Sequence, residues 1–99
     1  MKGIVFGLTF ERADQKLLDI RANYAMCHIP IVKEIKRKNL HQITYENGDY
    51  WTARSATDSA RGYRAHVVYI DNAIEDPDMI HMAFHCNTAM PWNAYHYFG

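Results

Sequence analysis

Ser59-Ala60-Arg61-Gly62-Tyr63-Arg64-Ala65-His66-Val67-Val68-Tyr69-Ile70-Asp71-Asn72 is the stretch that decides the fold. An Arg-Gly turn feeds an apolar, β-branched run, Val67 to Ile70, and the run stops on an acid, Asp71. A short continuous apolar run bounded by turn residues marks a strand buried on both faces, as parallel sheets covered by helices require. Ile4 to Leu8 is a second run of the same kind. Two such strands separated by helical pattern predict an α/β domain whose ligands would gather at the carboxyl ends of its strands.

Working outward, Thr9 can cap a helix whose first turn carries Glu11 and Asp14, where the helix dipole favours anions. Ala13, Leu17, Ile20 and Tyr24 recur at helical spacing, with Arg12, Gln15, Lys16, Asp19 and Arg21 on the opposite face. This predicts a helix over about 10–25. Pro30 opens a second, shorter helical segment to about Lys38, with Ile31, Val32 and Ile35 inward and Lys33, Lys36, Arg37 and Lys38 as a basic end. His41 to Glu46 alternates like a strand, Asn47-Gly48 marks a type I′ hairpin turn, and Asp49 to Arg54 returns as its partner. Ser55 to Tyr63 is small, polar and turn-rich. Asp76-Pro77-Asp78 starts a short helix to about His85, and Asn87 to Gly99 reads as an irregular aromatic tail. The expected architecture is therefore a small mixed sheet of about four strands with one long helix and two short helices, in a single domain over 1–99.

Composition narrows the partners. Lys plus Arg is 11 and Asp plus Glu is 11, so the net charge is zero. A neutral chain does not draw its affinity from nonspecific phosphate contacts, and it lacks the self-repulsion that opposes association. Hydrophobic residues make up 48% of the chain, enough for a real core. No apolar run approaches the roughly 20 residues of a membrane-spanning helix. Cys27 and Cys86 make no framework and are expected as free buried thiols in a reducing compartment.

Order and spacing of these pieces resemble the ATPase domain of viral (bacteriophage) large terminases, the motors that pump DNA into capsids. The segments that carry the resemblance are Ile4–Leu8, Phe10–Ala25, Tyr45-Glu46-Asn47-Gly48-Asp49, Ser55–Ser59, Arg61-Gly62, Val67–Asp71 and Glu75-Asp76-Pro77. They correspond to the part of the family domain after the phosphate loop, through the Mg²⁺-binding strand, and span about residues 3 to 80. The resemblance implies an α/β fold, Mg²⁺ and a nucleotide as the ligands of such a site, and a metal-ligating role for Asp71. Two departures stand against catalysis by the isolated chain. No Gly-x-x-x-x-Gly-Lys-Ser/Thr occurs in these residues. The acid pair at the strand end reads Asp71-Asn72, and an amide cannot act as a general base.

The candidate site residues are Arg61 and Arg64, which flank a Gly-Tyr turn and could grip phosphates, together with Asp71 and the aromatics Trp92 and Tyr95, which could stack on a nucleotide ring. The bland alternatives are a surface turn, a solvated strand end and an aromatic packing or oligomer contact. His81 and His85 lie four apart beside Cys86, which is ligand spacing without a third donor.

Apolar strands with little helix to cover them lead to an expected homo-oligomer, or a partner chain that completes the sheet. Three functions fit. The first is a terminase-related viral protein, a split or stand-alone derivative of the packaging motor, with nucleic acid as a partner only within a motor assembly. The second is a viral binding protein that sequesters a nucleotide-like or other phosphorylated small molecule, or inhibits a host factor. The third is a structural module. Each places the chain in the cytoplasm of an infected cell, with no membrane partner.

Overall fold

The computed structural model describes residues 1–88 and 91–99, apart from the Asp58 side chain. The described strands and helices follow in chain order as β1 (Lys2–Gly7), α1 (Phe10–Met26), β2 (Ile31–Arg37), β3 (Leu40–Tyr45), β4 (Tyr50–Ser55), β5 (Val67–Asp71), α2 (Pro77–Thr88) and β6 (Ala94–Phe98). They build one six-stranded mixed sheet in the order β2-β3-β4-β1-β5-β6. β1 is central and parallel to both β4 and β5, and β5 is parallel to β6. The β2-β3-β4 side is an antiparallel meander.

Alternation along β1 creates the two halves of the core. Val5 faces α1 and meets Ala13, Leu17, Ile20, Ile43, Tyr45 and Trp51. Ile4 and Phe6 face the other way, against Val68, Ile70, Met82 and Ala83 of β5 and α2. Gly3 is required where it stands, because a Cβ there would run into the Trp51 ring.

Helix α1 begins as the sequence indicates. The Thr9 hydroxyl accepts from the Arg12 N–H at 3.3 Å, and Ala13, Leu17 and Ile20 are buried. Its end corrects one expectation. His28 adopts φ 59°, its N–H bonds to the Ala25 carbonyl at 3.0 Å, and the Ile29 N–H bonds to the Tyr24 carbonyl at 3.1 Å. This is a Schellman stop, and a proline commonly follows one. Pro30 therefore closes α1 rather than opening a second helix. The following residues form strand β2, not the helical segment expected over Pro30 to Lys38. Ile31, Val32 and Ile35 have helical spacing but β-branched side chains that suit a pleat, and Val32 is left exposed. The basic residues Lys33, Lys36 and Arg37 line an edge strand, where charge discourages pairing with other chains.

In β3 the alternation is clean, with His41, Ile43 and Tyr45 buried. The hairpin to β4 forms at Asn47-Gly48, but its turn is not type I′. Gly48 has φ 91° and Asn47 does not share a positive φ. The Gly48 N–H bonds to the Tyr45 carbonyl at 3.0 Å and the Tyr45 N–H to the Asp49 carbonyl at 2.8 Å. This is a type I turn closed by a glycine bulge.

The expected short helix after Asp76 is there and runs to Thr88. The Asp76 carboxylate accepts from the Asp78 N–H at 2.9 Å, and Pro77 takes the first helical position. Part of the supposedly irregular tail is strand β6; residues 89 and 90 of that tail lie outside the described residues. The sheet thus has six strands where about four were expected. Both additions are edge strands with half-exposed side chains, so neither carries the apolar run that betrays a central strand. Asn87, buried at the end of α2, ties this region together. Its amide donates to the carbonyls of Ala65, His66 and Ala94 at 3.3, 2.9 and 3.2 Å.

Candidate functional site

Three parallel strands, β1, β5 and β6, end side by side, and α1 begins immediately beyond β1. Open α/β sheets hold their ligands at such an edge, and the first turn of a helix there attracts anions. In this chain the anion comes from the protein itself. The Asp71 side chain is fully buried. Its Oδ2 accepts from the Leu8 N–H at 3.0 Å and from Arg12 Nε at 2.5 Å. Its Oδ1 accepts from Arg12 Nη2 at 2.8 Å and from the Ala73 N–H at 3.0 Å. The Arg12 side-chain bonds hold this carboxyl down to about 2, well below the usual carboxylate range, and the two backbone donors act in the same sense against the cost of burial.

An ionised carboxylate offers about four lone-pair positions, and all four are in use. Mg²⁺ prefers near-octahedral oxygen ligands, including one or two carboxylates. Asp71 does not fit that role while the Arg12 fork is seated, because the guanidinium already supplies the positive charge on both oxygens. A divalent ion would have to displace it. Around the fork, Glu11, Arg12, Gln15 and Phe98 line an open cleft of about 230 Å³.

Arg64, Trp92 and Tyr95 do not join Asp71. From β4 the chain crosses from the carboxyl end of the sheet, where the Ala56 N–H bonds to the Gly7 carbonyl, to the amino end of β5, where the His66 N–H bonds to the Lys2 carbonyl. Exposed Arg61 lies on this crossing, just past a single 3-10 turn at Asp58–Ala60. Arg64 lies at its far end and donates to the Tyr63 carbonyl at 3.0 Å. Arg64 therefore stands at the opposite end of β5 from Asp71, with the length of that strand between them. Trp92 sits at that amino end too, its exposed ring 4.5 Å from the His66 ring. Tyr95 lies in β6 between Phe84 and Tyr97, with ring centroids 5.7 and 5.6 Å away. Among the described residues its buried hydroxyl has no partner of good hydrogen-bond geometry, and burial, with Tyr97 beside it, pushes it up to about 12.

Arg64 lines a larger cleft instead, about 320 Å³, with Lys2, Gly62, Tyr63, Gln42, Tyr50 and Thr52. It combines two cations with two tyrosines, a suitable lining for a phosphorylated aromatic ligand.

Two elements of this chemistry escaped the sequence reading. Arg12 fell on the outward face of α1, and only its place in the first helical turn beside a neighbouring acid strand end hints at its role. The second is a buried histidine. His41 Nδ1 lies 2.6 Å from Asp14 Oδ1 and its Nε2 lies 2.5 Å from Glu34 Oε2. Lys36 Nζ stands 3.1 Å from the other Asp14 oxygen, and Arg21 Nη1 3.0 Å from Glu34. The network ties α1 to β2 and β3. Burial raises the Asp14 carboxyl, but its bonds to His41 and Lys36 outweigh this and leave it lowered.

No described helix is long and apolar enough to cross a membrane. Cys86 is the buried free thiol expected, but Cys27 is exposed, because it caps the end of α1 beyond the helix's buried face.

The central parallel strands, a helix on each face and an acid closing β5 define the class: a mixed α/β sheet covered by helices on both faces. Within that class the fold is that of a segment of phage large terminase. It is similar to the structure of the large terminase from a thermophilic bacteriophage, with a TM-score of 0.72 and 12% identity over 97% of this chain and 25% of that one. A second crystal form of that terminase matches with a TM-score of 0.70 at 11% identity, covering 97% and 24%. The same terminase in complex with ADP matches with a TM-score of 0.68 at 11% identity, covering 97% and 25%. The chain thus spans about a quarter of the length of the solved chains it matches. No family model matches it, and no curated protein does.

Proposed function

We propose that this chain is a terminase-related viral protein, a split or stand-alone derivative of the packaging-motor ATPase domain that does not hydrolyse nucleotide by itself. The observation that carries it is the Asp71 carboxylate, which sits where a motor strand would present a metal ligand and is closed off by Arg12. The match to the phage terminase over 97% of the chain supports the ancestry. Function would then come from a second chain, either another copy or a partner bearing a phosphate loop, added along the open edge of β6. Nucleic acid would be met only within such an assembly, in the cytoplasm of the infected cell. Native mass spectrometry of the purified protein, with an ATP and GTP turnover assay, tests this. Self-association or a co-purifying partner, with turnover at the buffer blank, is expected. Turnover that Asp71→Ala abolishes would overturn it.

A second reading is favoured by the cleft at the amino end of β5. Lys2, Arg64, Tyr50 and Tyr63 could bind a phosphorylated, nucleotide-like small molecule, as a sequestering protein or an inhibitor of a host factor would need. Guanidinium–phosphate bonds are worth about 1.5–3 kcal/mol each. Arg64→Ala should therefore weaken binding of such a ligand about ten-fold or more, while Lys36→Ala changes little. Arg61→Ala, on the same crossing, serves as the neighbouring test. Equal affinity in all three variants would remove this reading.

A further inference from the structure

The middle and last turns of α2 bring together two side chains with no part in either cleft above. His81 and His85 are both exposed, and their Nε2 atoms lie 2.8 Å apart with the rings inclined at 70°. They are four residues apart, so the helix holds both on one face. Neither supports the core, whose α2 contribution is Met82, Ala83 and Cys86 on the opposite side. Two nitrogens at hydrogen-bond distance must share one hydrogen, one donating and the other accepting. The same convergence suits an ion held by both lone pairs.

The geometry points to a chelating site for a divalent transition-metal ion at His81 and His85. Imidazole–metal bonds run about 2.0–2.1 Å. Two such bonds from nitrogens 2.8 Å apart meet at roughly 85–90°. That is the cis angle of tetragonal Cu²⁺ and Ni²⁺ sites, whereas tetrahedral Zn²⁺ would need the nitrogens roughly 3.3 Å apart. Imidazole donors and the divalent affinity order favour copper as well. On binding, the donating ring moves its hydrogen from Nε2 to Nδ1, so both rings are neutral with the proton on Nδ1 and both Nε2 lone pairs face the ion. Among the described residues no group of three or more His, Cys, Asp or Glu side chains is placed to hold an ion. Water therefore completes the coordination, and the site is an open one. It lies beside the groove formed by Pro77, Ile80, Phe84, Tyr95 and Tyr97. An open coordination position next to an aromatic groove would let a bound ion anchor a further donor there.

Titration calorimetry of the whole chain with NiCl₂, which does not oxidise the exposed Cys27, tests the site. One Ni²⁺ per chain is expected, with weaker binding of Zn²⁺. Cu²⁺ added to a Cys27→Ser chain should show coupling to two imidazole nitrogens by electron paramagnetic resonance. His81→Gln and His85→Gln should each abolish saturable binding, while His28→Gln and His96→Gln leave it intact. Because the ion bridges successive turns of α2, Ni²⁺ should raise the melting temperature of the wild type and not of His81→Gln. These are surface substitutions, and circular dichroism verifies that the variants fold. Ni²⁺ binding unchanged in His81→Gln and His85→Gln, or no saturable binding in the wild type, would overturn the assignment.

Discussion

Arg12 and Asp71 stand 59 positions apart in sequence, yet the Arg12 guanidinium grips both oxygens of the Asp71 carboxylate, at 2.5 and 2.8 Å. The helix that starts beyond β1 thereby locks onto the end of the neighbouring strand β5. The same lock fills the position from which an acid could hold a metal. Mg²⁺ should leave the melting temperature of the wild type unchanged. Arg12→Ala should free one or two carboxylate positions and make the melting temperature rise with Mg²⁺. A Mg²⁺-dependent rise in the wild type would show that the ion displaces the arginine unaided.

Acid should unlock the pair. The Asp71 carboxyl is depressed to about 2 in the fold, below its ordinary value of 3.8. Its contribution to stability is therefore present above about pH 4 and is lost as pH falls toward 2. The depression corresponds to about 2 kcal/mol. Urea denaturation between pH 5 and 2 should show this loss, and Asp71→Asn should be less stable at neutral pH and flatter over the acid range. A wild-type and Asp71→Asn pair with parallel acid profiles would refute it.

His28 holds φ 59° at the end of α1, a conformation that glycine adopts without a steric penalty. His28→Gly should stabilise the protein by up to about 1 kcal/mol. His28→Val, which puts a β-branched side chain in the same place, should destabilise it. Chemical denaturation of the three proteins checks the order.

Gly48 lies at φ 91° with open space around it, so conformation rather than crowding governs substitution there. Gly48→Val should cost roughly 1–3 kcal/mol through the strained backbone. Gly48→Asn, which tolerates the left-handed region better, should cost less. An unchanged melting temperature in Gly48→Val would mean that the hairpin tolerates a different turn.

The Asp14–His41–Glu34 network should matter more than any exposed ion pair, because His41 is buried. Asp14→Ala would leave a buried ring nitrogen unsatisfied, at a cost of about 1–3 kcal/mol. Since the Asp14 carboxyl is lowered in the fold, its contribution is complete above the ordinary carboxylate range and fades as pH drops below it. Equal denaturation midpoints for Asp14→Ala and wild type at pH 7 would count against this.

Strands β1 and β5, helix α1 and the Asn47-Gly48 hairpin were legible from the residues alone, since each carries a local signal: an apolar run, a helical stripe with a cap, a turn that needs glycine. The edge strands β2 and β6 were not. An edge strand buries one face at most, so its pattern thins into something that spacing assigns elsewhere, as Ile31, Val32 and Ile35 did. The turn chemistry at Pro30 depended on whether His28 would enter the left-handed region, which its own side chain does not dictate. What only the tertiary structure decided is which charges meet. Asp71 was legible as a strand end and Arg12 as a helix surface, but their pairing exists because β5 lies parallel beside β1. The same sheet order sends Arg64 and Trp92 to the opposite end from Asp71, because side chains adjacent in sequence are carried apart by the length of the strand between them.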